Sequence, residues 1–330
     1  MRKIGAYLTI VALGAVALAA PPAAAFGLQL GPFHLGVPLF APHWRHHRPL
    51  YMRGSANELA RSAQGPASAL IYPNLALPPI VQTIFFPADP SPWPFGYERI
   101  FSTAFNKMPA SEDQRLCQPS FNVDTTVQRL AAATAPTPEQ MQLLQKLGGA
   151  LGAAAGFLAK ACPTEIPAQP VARLQLMDSQ IEELSMAIDI IRPPLQDFEQ
   201  ALSNEQSAKL TPAAADGDKA SDAAAACDGL DDAIDWSVGE IDKSVRPTQA
   251  QRNDLSDVKA AFAKAASDLK AHCRAAQPST ALGRLETIES RLDATWRSVL
   301  SIQVALTDFQ TKLNSEQKNR FDRMNFAAAR

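Results

Sequence analysis

The second half of this chain repeats at a shift of 111 residues, and that duplication most limits how the chain can fold. Cys162 aligns with Cys273, and the block Leu202–Gln206 aligns with Leu313–Gln317. Cys117 aligns with Cys227 at a shift of 110, so one residue was gained or lost between the copies. A duplicated segment of this length predicts one supersecondary unit built twice.

The repeat predicts five regions along the chain of 330 residues. Residues 1–25 are a signal peptide, and 26–110 are a Pro- and aromatic-rich arm. Residues 111–212 are helical repeat one, 213–224 are a small polar linker, and 225–330 are helical repeat two. We predict an all-α fold of two tandem four-helix units with a Pro-rich, largely irregular N-terminal arm.

Helical periodicity inside each copy supports the all-α assignment. Apolar residues recur at intervals of three and four, as expected of the buried stripe of an amphipathic helix. The pattern predicts short first helices near 122–134 and 230–245, followed by two longer helices and a short last one. Pro193 and Pro194 should kink or break the third helix of repeat one. Trp236 and Trp296 lie within helical patterns and are expected to be packing residues. The third helix of repeat one shows the periodicity most clearly, at Leu174, Met177, Ile181, Leu184, Ile188, Ile191, Leu195 and Phe198.

The N-terminus has the pattern of an export signal. Arg2 and Lys3 precede an uncharged apolar stretch, Ile4–Ala20, and the small residues Ala23–Ala25 follow it. Cleavage is expected before Phe26, and a retained membrane anchor is the alternative. No later stretch has the apolar length that a membrane-spanning helix needs. We therefore expect a periplasmic protein with no membrane span after signal cleavage.

Charge and motifs argue against two functional classes. The chain has 31 Lys and Arg residues against 33 Asp and Glu, so it offers no excess of positive charge for binding nucleic acid. It also has no Gly-x-Ser-x-Gly, His-Glu-x-x-His or phosphate-loop motif. We predict a protein that is not an enzyme, binds no nucleic acid and needs no cofactor.

The four cysteines fit two disulfides. An even number of cysteines in an exported chain favours disulfides, and four cysteines allow three pairings. In each repeat, one cysteine precedes the first helix and the other ends the second. An antiparallel helix pair brings those two points together, which predicts the bonds Cys117–Cys162 and Cys227–Cys273. A redox or metal role is disfavoured because the chain has no Cys-x-x-Cys spacing.

Four motifs place a capping residue three positions before a glutamine. Such pairs predict helix starts: the first side chain accepts from the backbone N–H at the third helical position, and the glutamine reaches back to the cap. Leu202 and Leu313 end the preceding apolar seams immediately before two of these caps. The four pairs are Thr137 with Gln140, Ser203 with Gln206, Thr248 with Gln251, and Asn314 with Gln317.

Used in pairs on an exported all-helical chain, these motifs resemble the Leu-Thr-x-x-Gln pattern of the Spy/CpxP-like family of LTxxQ-motif proteins. The best matches are Leu202–Gln206 and Leu313–Gln317, with Ser203 and Asn314 in place of Thr. The earlier motif of each copy has Pro136 or Pro247 where the family has Leu. The resemblance covers residues 111–330 as two tandem units.

The resemblance implies an ATP-independent periplasmic chaperone that binds unfolded or misfolded envelope proteins on an amphipathic helical surface. The alternative it implies is a metal- or envelope-stress-sensing regulator that binds a sensor kinase. Because family members form helical dimers, two tandem units suggest a monomeric pseudo-dimer, with a homodimer as the other possibility.

A histidine-rich stretch in the arm is the one candidate for metal binding. His43, His46 and His47 lie close together, with His34 upstream, and imidazole suits Zn²⁺ and Cu²⁺. A metal site needs ligands held by a second shell of contacts, and this polar stretch offers little to fix them. We therefore treat these histidines as weak candidates and predict no metal site.

Overall fold

In a computed structural model of the protein, the described residues are 68–87, 100, 103–105, 117, 121–210, 230–273 and 278–324. All of them lie within one compact unit, Leu50–Arg330. Over these residues the chain is all-α, as predicted, and no strand occurs among them. The signal peptide, the histidine-rich stretch and the linker lie outside the described residues, and the predicted domain boundaries stay a prediction.

Short helices of the arm are followed by two series of four helices. The arm contains α1 and α2, separated by a 3-10 turn at Pro73–Leu75. The first series is α3 to α6 and the second is α7 to α10. The bounds are α1 Ser68–Ile71, α2 Leu77–Phe85, α3 Val123–Thr134, α4 Pro138–Lys160, α5 Pro170–Ala201, α6 Asn204–Lys209, α7 Leu230–Val245, α8 Gln249–Cys273, α9 Ala281–Thr311 and α10 Ser315–Asp322.

The two long helices α5 and α9 pack against each other and join the two repeats. Arg192 forms an ion pair with Glu289. The carboxylate of Glu199 accepts from the backbone N–H groups of Ala281 and Leu282, at 2.6 and 3.0 Å. Residues later in α5 contact residues earlier in α9, so the two helices run antiparallel. Glu199 thereby caps the N-terminus of α9, where a carboxylate is favourable.

Helix α5 runs without a break through two prolines. It extends over 32 residues with Pro193 and Pro194 inside it, whereas the sequence predicted that these prolines would kink or break the helix. Each proline removes one backbone donor, but its neighbours Ile191, Leu195 and Phe198 are almost fully buried. Packing of this apolar face outweighs the local cost of the prolines, so a break does not occur.

The arm differs from the prediction where the structure describes it. Residues 68–87 are mostly helical rather than irregular, and their apolar side chains belong to the same core as the repeats. The prolines do not prevent this, because Pro73 and Pro78 lie in first turns, where a missing N–H costs nothing. The side chains of this segment that are at most 2% exposed are Leu70, Ile71, Ala76, Leu77, Ile80, Val81, Ile84 and Phe85.

Two buried arginines hold the arm to the repeats. Arg173 Nε donates to the carbonyl oxygen of Ala104 at 2.7 Å, and Arg284 Nε donates to that of Ile84 at 2.7 Å. The two arginines occupy equivalent positions at the repeat shift of 111 residues. Burial lowers the pKa of Arg173 to about 10, which still leaves the guanidinium charged at neutral pH. The arm is therefore part of the core of both repeats.

The predicted disulfide of repeat one is present. Cys117 and Cys162 are bonded, with their Cα atoms 5.7 Å apart, as the sequence predicted. The bond closes a loop over a separation of 45 residues, which adds up to about 4 kcal/mol in the chain-entropy model. Cys227 and the side chain of Cys273 lie outside the described residues.

In the parts of the chain that the structure describes, no helix combines the length and apolar character needed to cross a membrane. The apolar arm segment 68–87 is divided among short helices instead.

Candidate functional site

The four capping motifs lie at corners between consecutive helices. At three of them, Thr137, Ser203 and Asn314 accept from the backbone N–H of the glutamine three residues later, and the glutamine returns to the cap. At the fourth, Gln251 N donates to Thr248 Oγ1 at 3.4 Å, and Thr248 N donates to Gln251 Oε1 at 2.8 Å. All four motifs thus begin a helix.

In repeat one, the two motif glutamines also bond to each other. Gln140 Nε2 donates to Gln206 Oε1 at 2.9 Å, and Gln206 Nε2 donates to Gln140 Oε1 at 2.9 Å. The remaining amide donors reach the ends of the opposite helices, at Ala201 O (2.6 Å) and Thr134 O (3.1 Å). We call this reciprocal pair with its carbonyl partners the glutamine clasp of repeat one.

Repeat two contains the same clasp. Gln251 Nε2 donates to Gln317 Oε1 at 3.0 Å, and Gln317 Nε2 donates to Gln251 Oε1 at 2.9 Å. The other donors reach Lys312 O at 2.7 Å and Arg246 O at 3.2 Å. Residues 61 to 72 positions apart are therefore joined in the same pattern in both copies.

The clasp explains physically why the motif uses glutamine. Each amide oxygen accepts twice, once from its own cap and once from the other glutamine, and each amide nitrogen donates twice. All four hydrogen-bonding capacities of the side chain are filled. The clasp satisfies carbonyls at a helix C-terminus that lack an intrahelical partner. Glutamate could not replace glutamine here, because an ionised carboxylate only accepts.

The corner before each first clasp glutamine adopts a left-handed backbone. Ala135 has φ 47° and Arg246 has φ 52°, and these are the non-glycine residues with positive φ in the described parts of the chain. They are equivalent positions in the two repeats. Left-handed backbone is unfavourable for residues with a Cβ, so the fold imposes this turn at both corners.

The motif leucines have a packing role. Leu313 is buried, and Leu202 is partly buried against the core. They follow the C-terminal ends of α5 and α9, at the corners that the clasps hold together. The motif residues are therefore a structural framework, and the surface that could contact another molecule lies elsewhere.

Three large apolar side chains are exposed on the long helices. Val304 is 52% exposed, Met186 is 41% exposed and Trp296 is 38% exposed. The exposure of Trp296 corrects the sequence-based expectation that it is a packing residue, while the side chain of Trp236 lies outside the described residues. The antiparallel register of α5 and α9 places Met186 at the level of Trp296.

Val304 lies in a groove between α8 and α9. The groove has a volume of about 510 Å³ and combines apolar with charged side chains. We call it the outer groove of repeat two. Its lining residues are Asp254, Asp257, Ala261, Lys264, Arg297, Leu300, Ser301, Val304, Ala305, Asp308 and Phe309.

No cluster of His, Cys, Asp and Glu residues among the described ones could hold a metal ion. The weak candidates His43, His46 and His47 lie outside those residues. Sequence reasoning found all four motifs but not their pairing into clasps, because the partners are far apart in the chain. It also passed over the buried arginines, although Arg173–Leu174 and Arg284–Leu285 align in the repeat.

Comparison with known proteins supports the resemblance for part of the chain. A family model described as LTXXQ motif family protein matches residues 233–325. No curated protein and no solved structure matches the chain. The match lies wholly within repeat two and includes its clasp, Gln251 with Gln317. Over residues 233–325 this match supports the predicted resemblance to LTxxQ-motif proteins.

Proposed function

We propose that this protein is an ATP-independent chaperone of the bacterial periplasm that binds unfolded or misfolded envelope proteins. The observation that carries the proposal is the set of exposed apolar side chains, Met186, Trp296 and Val304, on long helices that internal clasps hold in place. The match to a family of periplasmic stress-related proteins agrees with it, and so does the signal-like N-terminus.

The physics of such a surface suits weak and reversible capture. Burying apolar area contributes about 25 cal/mol per Å², so covering one or two side chains of this size yields a few kcal/mol before the cost of ordering the client. Charged groups around them add screened attraction that speeds encounter. The client can then leave and fold between encounters, and no nucleotide or cofactor enters the cycle.

The two-repeat arrangement supports a monomeric pseudo-dimer. Helices α5 and α9 already pack antiparallel within one chain, so one molecule contains two related surfaces on a shared core. We propose that a single chain presents both surfaces to one client, and that a homodimer is not required.

Light scattering of a chemically denatured test protein, diluted with and without the chaperone and without ATP, tests the function. We expect suppression of aggregation at near-stoichiometric ratios. Persistence of full aggregation at several-fold molar excess would contradict the proposal. Metal- or stress-dependent binding to a sensor-kinase domain would then favour the regulator that the family resemblance also implies.

A truncated variant must keep the part of the arm that belongs to the core. Removing residues 26–110 would take away helices that fill the core, and it would leave Arg173 and Arg284 without their arm carbonyls. A chain starting at residue 67 keeps the described arm and is the better test of the segment before it. We expect this shorter chain to retain suppression of aggregation.

A further inference from the structure

The outer groove of repeat two has charges arranged by sign along its length. Ser298 Oγ contacts Ala265 O at 3.4 Å and Arg291 Nε donates to His272 O at 3.1 Å, so α8 and α9 run antiparallel. This register places Asp308 beside the N-terminal part of α8. Three carboxylates therefore meet at one end of the groove, at Asp254, Asp257 and Asp308.

The two ends of the groove differ in how their charges are compensated. At the far end, Lys264 pairs with Asp268 at 3.6 Å, and Arg297 forms an ion pair with Asp293. None of the three carboxylates at the acidic end forms an ion pair with a described residue. The acidic end thus presents net negative charge, while the far end is neutralised within its own helices.

An apolar stretch lies between these ends. Val304 is the most exposed large apolar residue in the described chain, and Leu300 and Ala305 line the groove beside it. Phe309 is fully buried and forms part of the wall nearest the carboxylates. An apolar side chain of a bound client segment could pack on Val304. A lysine or arginine next to it in the client would then lie close to the three carboxylates.

The equivalent surface of repeat one lacks this arrangement. At the repeat shift, Leu143 replaces Asp254 and Lys146 replaces Asp257, while Asp197 matches Asp308. The duplication has kept the framework and changed the charge of one face. Repeat one therefore serves as an internal reference for what the acidic end adds.

We propose that the outer groove of repeat two selects client segments in which an apolar residue lies next to lysine or arginine. The proposal rests on the proposed chaperone function and adds a client class to it. Charge complementarity with the uncompensated carboxylates supplies the selectivity, and the Val304 surface supplies contact area. Because these carboxylates are exposed or half-exposed, the preference should weaken as salt rises.

Fluorescence anisotropy of three labelled peptides on the mature full chain tests this. The peptides share the same apolar residues and carry lysine, glutamine or glutamate beside them. We expect the lysine peptide to bind about 5- to 20-fold more tightly than the glutamate peptide at low salt, with the glutamine peptide between them. Equal affinity for all three peptides, or a preference for glutamate, would overturn the proposal.

Matched variants locate the effect. The triple variant Asp254→Asn, Asp257→Asn and Asp308→Asn should remove the lysine preference and leave binding of the glutamine peptide unchanged. The control Asp189→Asn with Asp197→Asn removes two exposed carboxylates of repeat one and should leave the preference intact. A preference that survives the triple variant, or one that the control abolishes, would contradict the assignment to this groove. Both variants are first checked for unchanged helicity by circular dichroism.

The two proposals can fail separately. If the chain suppresses aggregation but shows no charge preference among the peptides, the groove assignment is wrong and the chaperone function stands. If the chain neither suppresses aggregation nor binds any peptide, the chaperone function itself is wrong.

Discussion

The two repeats agree inside and differ outside. Both contain a reciprocal glutamine pair, a buried arginine that binds an arm carbonyl, and a left-handed corner residue before the clasp. Their outer faces diverge, since Asp254 and Asp257 of repeat two stand where repeat one has Leu143 and Lys146. The clasp glutamines and the buried arginines are the same residues in both copies, while the outer faces differ in charge.

This difference between the framework and the outer faces indicates which surfaces could bind a partner. The motif residues are occupied by internal hydrogen bonds, so they offer little to a partner. Asp254 and Asp257 take no part in the clasps, and their difference from Leu143 and Lys146 gives the two repeats faces of different charge. Matched substitutions in the two copies should therefore have matched effects, except where the bonding partners differ.

The largest expected effect is the loss of stability on replacing a buried arginine, and it should differ between the two repeats. Arg284 donates to the carbonyls of Ile84, Leu210, Pro278 and Ser279, whereas Arg173 donates to the carbonyl of Ala104. Replacing Arg284 with Met should cost about 3 kcal/mol or more, because several carbonyls lose their donor. Replacing Arg173 with Met should cost about 1–2 kcal/mol.

Urea unfolding of the two arginine variants gives both free energies. Equal costs, or a larger cost for Arg173→Met, would show that the additional bonds of Arg284 to Leu210, Pro278 and Ser279 contribute little to stability.

The glutamine clasps should contribute equally in both repeats. Gln140→Ala and Gln251→Ala should each lower the free energy of unfolding by about 2 kcal/mol. Each substitution removes a bond to the cap backbone, a bond to a carbonyl at a helix end and the bond to the partner glutamine. Adding Gln206→Ala to Gln140→Ala should cost less than the sum of the single changes, since the two side chains are coupled.

Double-mutant cycles in the two repeats measure that coupling. A coupling energy near zero in either copy would mean that its glutamines act only as separate helix caps.

The smallest expected effect concerns the left-handed corners. Ala135→Gly should raise stability by about 0.5–1 kcal/mol, because glycine adopts positive φ without a Cβ clash. Arg246→Gly should behave similarly at the equivalent corner. Thermal unfolding is the measurement, and a fall in melting temperature for both variants would show that the corner is not strained.

Much of the framework could be predicted from the sequence because it depends on local rules. The capping motifs fixed the starts of α4, α6, α8 and α10 to within a residue, and heptad-like spacing predicted the buried seams of α5 and α9. The repeat and an antiparallel helix pair together predicted the Cys117–Cys162 bond. These features depend on neighbours within a few residues or on one helix pairing.

What could not be predicted depends on distant contacts. Proline density in 68–87 favoured irregular structure, but burial in a core made by both repeats makes the segment helical. Pro193 and Pro194 likewise stay within α5 because the packed face continues past them. The pairing of Gln140 with Gln206 and the arm contacts of the arginines join residues more than 60 positions apart, which no local pattern specifies.

Site-specific photo-crosslinking during capture of a denatured client tests the central claim most directly. A photoreactive amino acid is placed at Met186, at Val304, and at the control position Ala208, which is exposed beside the clasp on α6. The account predicts client crosslinks at 186 and 304 well above those at 208. Suppression of aggregation with no crosslink at 186 or 304, or with equal crosslinking at 208, would contradict it.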